Sequence, residues 1–328
     1  MILVTADRVP PEARAPMAAH LAGFALPLAD QIGVFQTLRD AWAGEPLVAI
    51  QIAPSNLHWL SDAALEEAAR LSEETGAPMH MHLLETPYQK EYARRRTGGS
   101  AMEAIVRLGL LTPRMTIGHG TWMTPDDLVL LSERGACLCH NCSSNLRLKS
   151  ERLDLNAVLA SGVSCALGID EAGLNDDPDM LQEMRLAMTP HRPPGHDAPA
   201  PSAAQVLRKA TEHGARTTHF AGRIGGPAPG MLADVVLLDW KRVTWPWQDP
   251  AMPLEEVMLR RARAGAVETV LIGGAPVLRE RRFVRVDRDA VLAEAVAQHD
   301  AEGPSGATWP NGRCRPPGPS ARIAPSEP

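Results

Sequence analysis

Residues 79–86 read Met79-His80-Met81-His82-Leu83-Leu84-Glu85-Thr86, and this run decides the fold class. Its stretch Met79–Leu84 is strand-like, with His80 and His82 on one face because side chains alternate along a strand. Working outward, further strand-like apolar runs fall at Ile2–Thr5, Val48–Ile52, Met115–His119, Ala136–His140 and Val163–Ile169. Helical stretches lie between them. Ser61-Asp62 opens one, with Leu65, Ala68, Ala69 and Leu71 as its apolar positions. Thr124-Pro125-Asp126-Asp127 opens another with a capping hydroxyl, a first-turn proline and acids at the positive helix end. Strands alternating with helices imply a parallel sheet with crossover connections, so the fold class is α/β. A doubly wound sheet and a (β/α)8 barrel both fit, but the barrel needs eight strands, and these runs number six.

After Asp170 the texture changes. Asp176–Met188 and Ser202–His213 have helical character, Val235–Leu238 and Val267–Ile272 read as strands, and a helix is expected near Asp289–His299. The expected organisation is a partial barrel over 1–220, part of a small β-sandwich over 221–286, a helix over 287–302 and a disordered tail over 303–328. No internal repeat is visible.

Composition excludes several function classes. The chain has 328 residues and a net charge of -6, which gives no electrostatic pull toward nucleic acid or anionic membrane. No apolar run reaches the roughly 18 residues a membrane helix needs. Two Tyr and four Phe leave little for base stacking. Five cysteines, an odd number, point to reduced thiols and a cytoplasmic location.

Ionisable residues close consecutive strands: His82 with Glu85 three residues later, then His119, His140 and Asp170. Barrels of this class build active sites at the C-terminal strand ends. One such residue means little, but a series on successive strands is hard to assign to packing, since ionisable side chains are rarely buried unpaired.

MHMHLLET, IGHGTWMTPDD, HNCSSNLRL and ALGIDEAG resemble, in this order, the strand-five to strand-eight motifs of the amidohydrolase superfamily. The similarity is to its branch of cytosine, guanine and methylthioadenosine deaminases and triazine hydrolases. It extends back to VAIQIAPSNLHWLSDAAL and forward to ATEHGARTTHF and GMLADVVLLD, covering about residues 45–280. The resemblance implies an incomplete (β/α)8 barrel, strands three to eight, with part of a β-sandwich. It implies one divalent metal, zinc or alternatively iron, on His82 and Asp170, because Leu47–Ser55 has no Lys to bridge a second ion. Catalytic roles fall to Glu85 as proton donor, His119 as a hydrogen-bond donor to developing charge, and Asp170 as proton acceptor. Ser55, His58, Trp59, Trp122, His140 and Asn145 are expected to contact substrate. The implied reaction is hydrolytic deamination of an aminated purine, pyrimidine, pterin or triazine-like ring. A small-molecule substrate and a homodimer are the expected partners.

Simpler readings stand beside these. Glu85 could cap the following helix, and His119 could merely line the site. His80, one layer deeper than His82, reads as a core histidine. Cys137-Leu138-Cys139-His140-Asn141-Cys142 looks like half a zinc knuckle but has no second Cys/His pair nearby. Asn141, Ser143 and Ser144 would contact substrate or fix their loop.

One departure from the family pattern matters. The superfamily opens its barrel with a His-x-His on strand one, whereas the first 45 residues here contain a single histidine, His20. Strands one and two are therefore expected upstream of Met1. With only His82 and Asp170 counted firmly as ligands, the chain alone is expected to be a poor catalyst. The alternatives are a non-catalytic remnant that pairs with another chain, and an unrelated α/β binding protein.

Overall fold

The computed structural model describes residues 26–171, 174 and 178–302. The expected strand Ile2–Thr5, His20 and the tail 303–328 lie outside the described residues. Helix α1 (Leu28–Trp42) is followed by α2 (Asp62–Thr75), β1 (Met79–Leu83), α3 (Pro87–Thr97), α4 (Ala101–Arg107) and β2 (Met115–His119). Then come α5 (Pro125–Glu133), β3 (Cys137–His140), α6 (Cys142–Arg147), α7 (Leu155–Ser161) and β4 (Ser164–Leu167). The strands form one parallel sheet in the order β1-β2-β3-β4.

The helix starts follow from side-chain chemistry. Ser61 Oγ accepts the Ala64 N–H at the head of α2. At α5 Thr124 and Asp127 exchange side-chain and backbone bonds in a full capping box.

Val48–Ile52 does not form the expected strand. Its neighbourhood meets β1 at isolated parallel bridges, Ile52 with Met79 and Asn56 with His82. Pro54 lies between them and has no N–H to continue the ladder. The parallel sheet thus has four strands among the described residues, where the sequence suggested six. β4 also stops at Leu167, short of Ile169, as the backbone turns into the left-handed region at Asp170, φ 61.

Met79, Met81 and Leu83 of β1 point into the main core with Leu65, Ile105, Ile117 and Leu138. The opposite face of β1 carries His80, half-buried, and His82, exposed. The alternation of the sequence is therefore the alternation between core and site.

Helix α8 (Met180–Met188) begins later than Asp176, at a cap where Asp179 accepts the Leu181 N–H. Met184, Ala187 and Met188 pack with Leu167 and with Ala203 and Val206 of α9 (Ala203–Ala210). α10 (Glu212–Arg216) follows. A separate antiparallel sheet runs β5 (Val235–Leu238), β6 (Val267–Ile272), β7 (Ala275–Arg279), β8 (Arg282–Phe283), with α11 (Trp240–Thr244) and α12 (Leu254–Arg261) between β5 and β6. Val236, Leu237 and Phe283 of this sheet are exposed. Residues 27–285 form one compact unit. The C-terminal helix α13 (Arg288–Glu302) belongs to another. Among the described residues no helix is long and apolar enough to cross a membrane.

Candidate metal centre

Parallel register brings the strand ends to one edge. Leu83 pairs with His119, so His82 at the end of β1 stands beside the end of β2. Asp170 arrives from the turn after β4. His82 Nε2 lies 3.8 Å from Asp170 Oδ1, and His119 Nε2 lies 3.7 Å from Asp170 Oδ2. The imidazoles stack with centroids 5.1 Å apart. One donor atom from each of the three residues falls within 4.8 Å of the others. His119 (φ 69) and Asp170 (φ 61) both hold left-handed backbone. In non-glycine residues that costs on the order of 1–3 kcal/mol each and concentrates at functional sites.

The hydrogen bonds fix the tautomers. His82 Nδ1 is 3.1 Å from the Ser55 carbonyl, and His119 Nδ1 is 2.7 Å from Asn145 Oδ1. Both partners only accept, so each Nδ1 carries a proton, and in the neutral ring each Nε2 offers its lone pair toward Asp170. His119 Nε2 is buried and has no hydrogen-bond partner among the described residues. Two imidazole Nε2 atoms converging on a carboxylate form a donor set that suits a divalent metal, and their Nδ1 contacts are the outer bonds that orient metal ligands.

The electrostatics agree. His82 beside it, then the Ser144 hydroxyl donating at 2.5 Å, hold the Asp170 carboxyl at about 2, so it is ionised at neutral pH. The Asp170 carboxylate in turn raises His82 above the usual imidazole value. Burial first, then His82 and His119, push His80 down to about 4. His80 is thus neutral and stands outside the donor cluster, as its deeper position suggested.

Glu85 does not cap α3, since Thr86 takes that role. Its Oε1 accepts from Ser150 Oγ at 3.0 Å and its Oε2 from Gln89 Nε2 at 3.3 Å. When ionised it adds to the upward shift of His82.

The residues expected to touch substrate divide. Trp59 is 43% exposed and lies edge-on to half-buried His58, centroids 5.4 Å apart. Ser55 serves through its backbone, which orients His82. Trp122 Nε1 is tied to the Ser150 carbonyl at 2.8 Å. Asn145 is 1% exposed and spends its oxygen on His119. His140, also 1% exposed, turns to His191 at 3.3 Å.

Sequence reasoning missed Gln89, Ser150 and His191. Gln89 was findable at one helical turn from Glu85, whereas Ser150 and His191 reach their partners through the tertiary fold alone.

Relatives share this architecture. The chain is 30% identical over 264 residues to a 5-methylthioadenosine/S-adenosylhomocysteine deaminase of Nitratidesulfovibrio vulgaris, covering 80% of this chain and 59% of the relative. A Desulforudis audaxviator protein of the same name is 32% identical over 248 residues, 76% of this chain and 57% of the relative. The chain therefore spans less than two thirds of the length of these curated relatives. The structure of an adenosine deaminase from Xanthomonas campestris with bound zinc superposes with a TM-score of 0.77 at 30% identity, covering 82% of this chain and 61% of that one. An atrazine chlorohydrolase from Arthrobacter aurescens complexed with zinc, 20% identical, shares the fold at a TM-score of 0.76 over 83% of this chain and 60% of its own. The model of the amidohydrolase family matches residues 18–277, most of the sequence, and the chain belongs to that family.

Proposed function

We propose that this chain carries the metal centre of a hydrolase that deaminates an aminated heterocycle, with a purine ring favoured by the names of its relatives. The observation that carries the reading is the convergence of His82, His119 and Asp170. These would hold one zinc ion. His119 then counts as a third ligand, beyond the hydrogen-bonding role its sequence suggested. With three ligands in place of two, the chain is expected to turn over substrate rather than to be the poor catalyst that two ligands implied. Zinc in such a site supplies Lewis-acid activation of water.

The chain's own residues do the rest. Asp170 Oδ1, the oxygen that Ser144 leaves free, accepts the proton of the attacking water. Glu85, steadied by Ser150 and Gln89, delivers its proton to the ring nitrogen, relays the second proton of the attacking water to the departing amine, and is reprotonated by the proton that Asp170 took up. The exposed indole of Trp59 offers an apolar face for a planar ring. In the same reading the two sheets are parts of a barrel and a sandwich, and the protein is a cytoplasmic homodimer. Free Cys137, Cys139, Cys142 and Cys165 are in keeping with a reducing compartment.

The test is zinc titration of the chain together with ammonia release from adenosine, methylthioadenosine, S-adenosylhomocysteine and a triazine. The expected result is a zinc stoichiometry that falls by one in both His82→Ala and Asp170→Asn, with zinc-dependent ammonia release in the wild type. Zinc binding indifferent to both substitutions would overturn the centre. Zinc binding that depends on them without ammonia release from any of these compounds would overturn the deamination.

A further inference from the structure

A second group of donor atoms lies around the start of α6. A ring nitrogen of His140, a ring nitrogen of His191 and Cys142 Sγ all fall within 4.8 Å of one another. All three residues are at most 2% exposed. They come from the end of β3, the start of α6 and the loop after α8, so only the fold assembles them.

The His140 and His191 Nε2 atoms are 3.3 Å apart. That is long for a hydrogen bond, whose usual nitrogen–acceptor distance is about 2.9–3.0 Å. It is the separation expected of two nitrogens each bound at about 2.0–2.1 Å to a tetrahedral ion, which places them roughly 3.3 Å from each other. His140 Nδ1 has no partner among the described residues, so no hydrogen bond other than that to His191 positions this ring. Burial above all keeps both imidazoles neutral, His140 at about 3 and His191 at about 4. The charges around the group are mixed. The positive charge of Lys209 and the ring of His119 act on His140, Arg152 and Asp154 act on His191 in opposite senses, and the Glu183 carboxylate acts on Cys142 and takes the Ser143 N–H at 3.0 Å.

We propose that His140, Cys142 and His191 form a second, structural metal site that takes a thiophilic divalent cation such as zinc. Binding exchanges the Cys142 thiol proton for the metal and releases that proton to solvent. The thiolate and Glu183 offset the charge of the ion. The ion pins the first turn of α6 to the loop after α8. The same turn carries Ser144, which holds Asp170, and Asn145, which holds His119. The second site would therefore brace the residues that orient the first. Its ligands are distinct from His82 and Asp170, so loss of the first site leaves the donors of the second in place.

Cobalt(II) added to the metal-free chain is the probe, because a thiolate ligand gives it a near-ultraviolet charge-transfer band that imidazole and carboxylate do not. The band should be present in the wild type and in His82→Ala. It should be absent in Cys142→Ser, and His191→Ala should bind this cobalt roughly tenfold or more weakly. Circular dichroism checks that each variant is folded. If Cys142→Ser fails to fold, alkylation of Cys142 in the wild type with and without zinc, read by mass spectrometry, takes its place. Protection by zinc is then expected, and equal alkylation in both conditions would overturn the site. So would a wild type with no band, or a band that survives Cys142→Ser.

Discussion

Asn145 Oδ1 stands 2.7 Å from His119 Nδ1, and this contact decides which ring nitrogen turns to Asp170. Without the acceptor the imidazole can exchange tautomers, and Nε2 loses its fixed lone pair. Asn145→Ala is expected to weaken zinc binding by roughly 10–100-fold, the usual cost of removing such an outer contact. Asn145→Asp keeps an acceptor in place and should recover much of the affinity. Competition titration against a chromogenic chelator measures both, and an alanine variant as tight as wild type would remove Asn145 from the centre.

Glu85 contributes differently. It is tied to Ser150 and Gln89 and lies outside the donor cluster. Glu85→Gln should keep zinc stoichiometry near wild type while kcat for ammonia release falls by about 10²–10⁴, the usual range for a lost general acid. Loss of zinc in step with activity would instead make Glu85 a metal-site residue.

How much of this was legible in the sequence depended on the range of the interaction. The strands around His82, His119 and His140 follow local apolar pattern, and the helix starts at Ser61 and Thr124 follow capping chemistry that acts over three residues. Val48–Ile52 misled because its pattern ignores Pro54, which limits pairing to isolated bridges. The candidate donors His82 and Asp170 were marked by their position at or just after strand ends. The assignment of Asn145 to His119 and of His140 to His191 was not, because each joins residues 26 and 51 positions apart. Such pairs are set by how elements pack, and no local period records them.

The His82–Asp170 contact should govern the pH behaviour of the metal-free protein. His82 is raised above the ordinary imidazole value, chiefly by the Asp170 carboxylate. A raised folded-state value stabilises the fold fully below the unfolded imidazole value, and that contribution is lost as pH rises through the folded one. Protons also compete with metal for His82 Nε2, so zinc affinity should begin to fall, as pH is lowered, earlier than for an unperturbed imidazole. Asp170→Asn removes the main cause and should lower the His82 midpoint in an NMR titration of the metal-free chain. A midpoint unchanged by the substitution would mean that the carboxylate does not act on this ring.

Gly168 supplies the close approach on which Asp170 depends. A Cβ there would lie 2.5 Å from Asn141 Oδ1 and 2.8 Å from Cys139 Sγ. Both neighbours are buried, at 4% and 7% exposure, and Cys139 Sγ is itself 3.5 Å from Asn141 Oδ1, so neither has open space to retreat into. Gly168 also donates its N–H to the His140 carbonyl at 3.1 Å, which fastens the backbone just before the turn to Asp170. Gly168→Ala should therefore cost about 1–3 kcal/mol in urea unfolding, as overpacking does. Because the strained segment leads directly to Asp170, zinc affinity should fall as well. Gly44 is the control, since a Cβ at that position meets nothing within 4 Å, and Gly44→Ala should stay within about 0.5 kcal/mol of wild type. If Gly168→Ala matched Gly44→Ala in both unfolding and zinc binding, the packing behind Asp170 would not be what places its carboxylate.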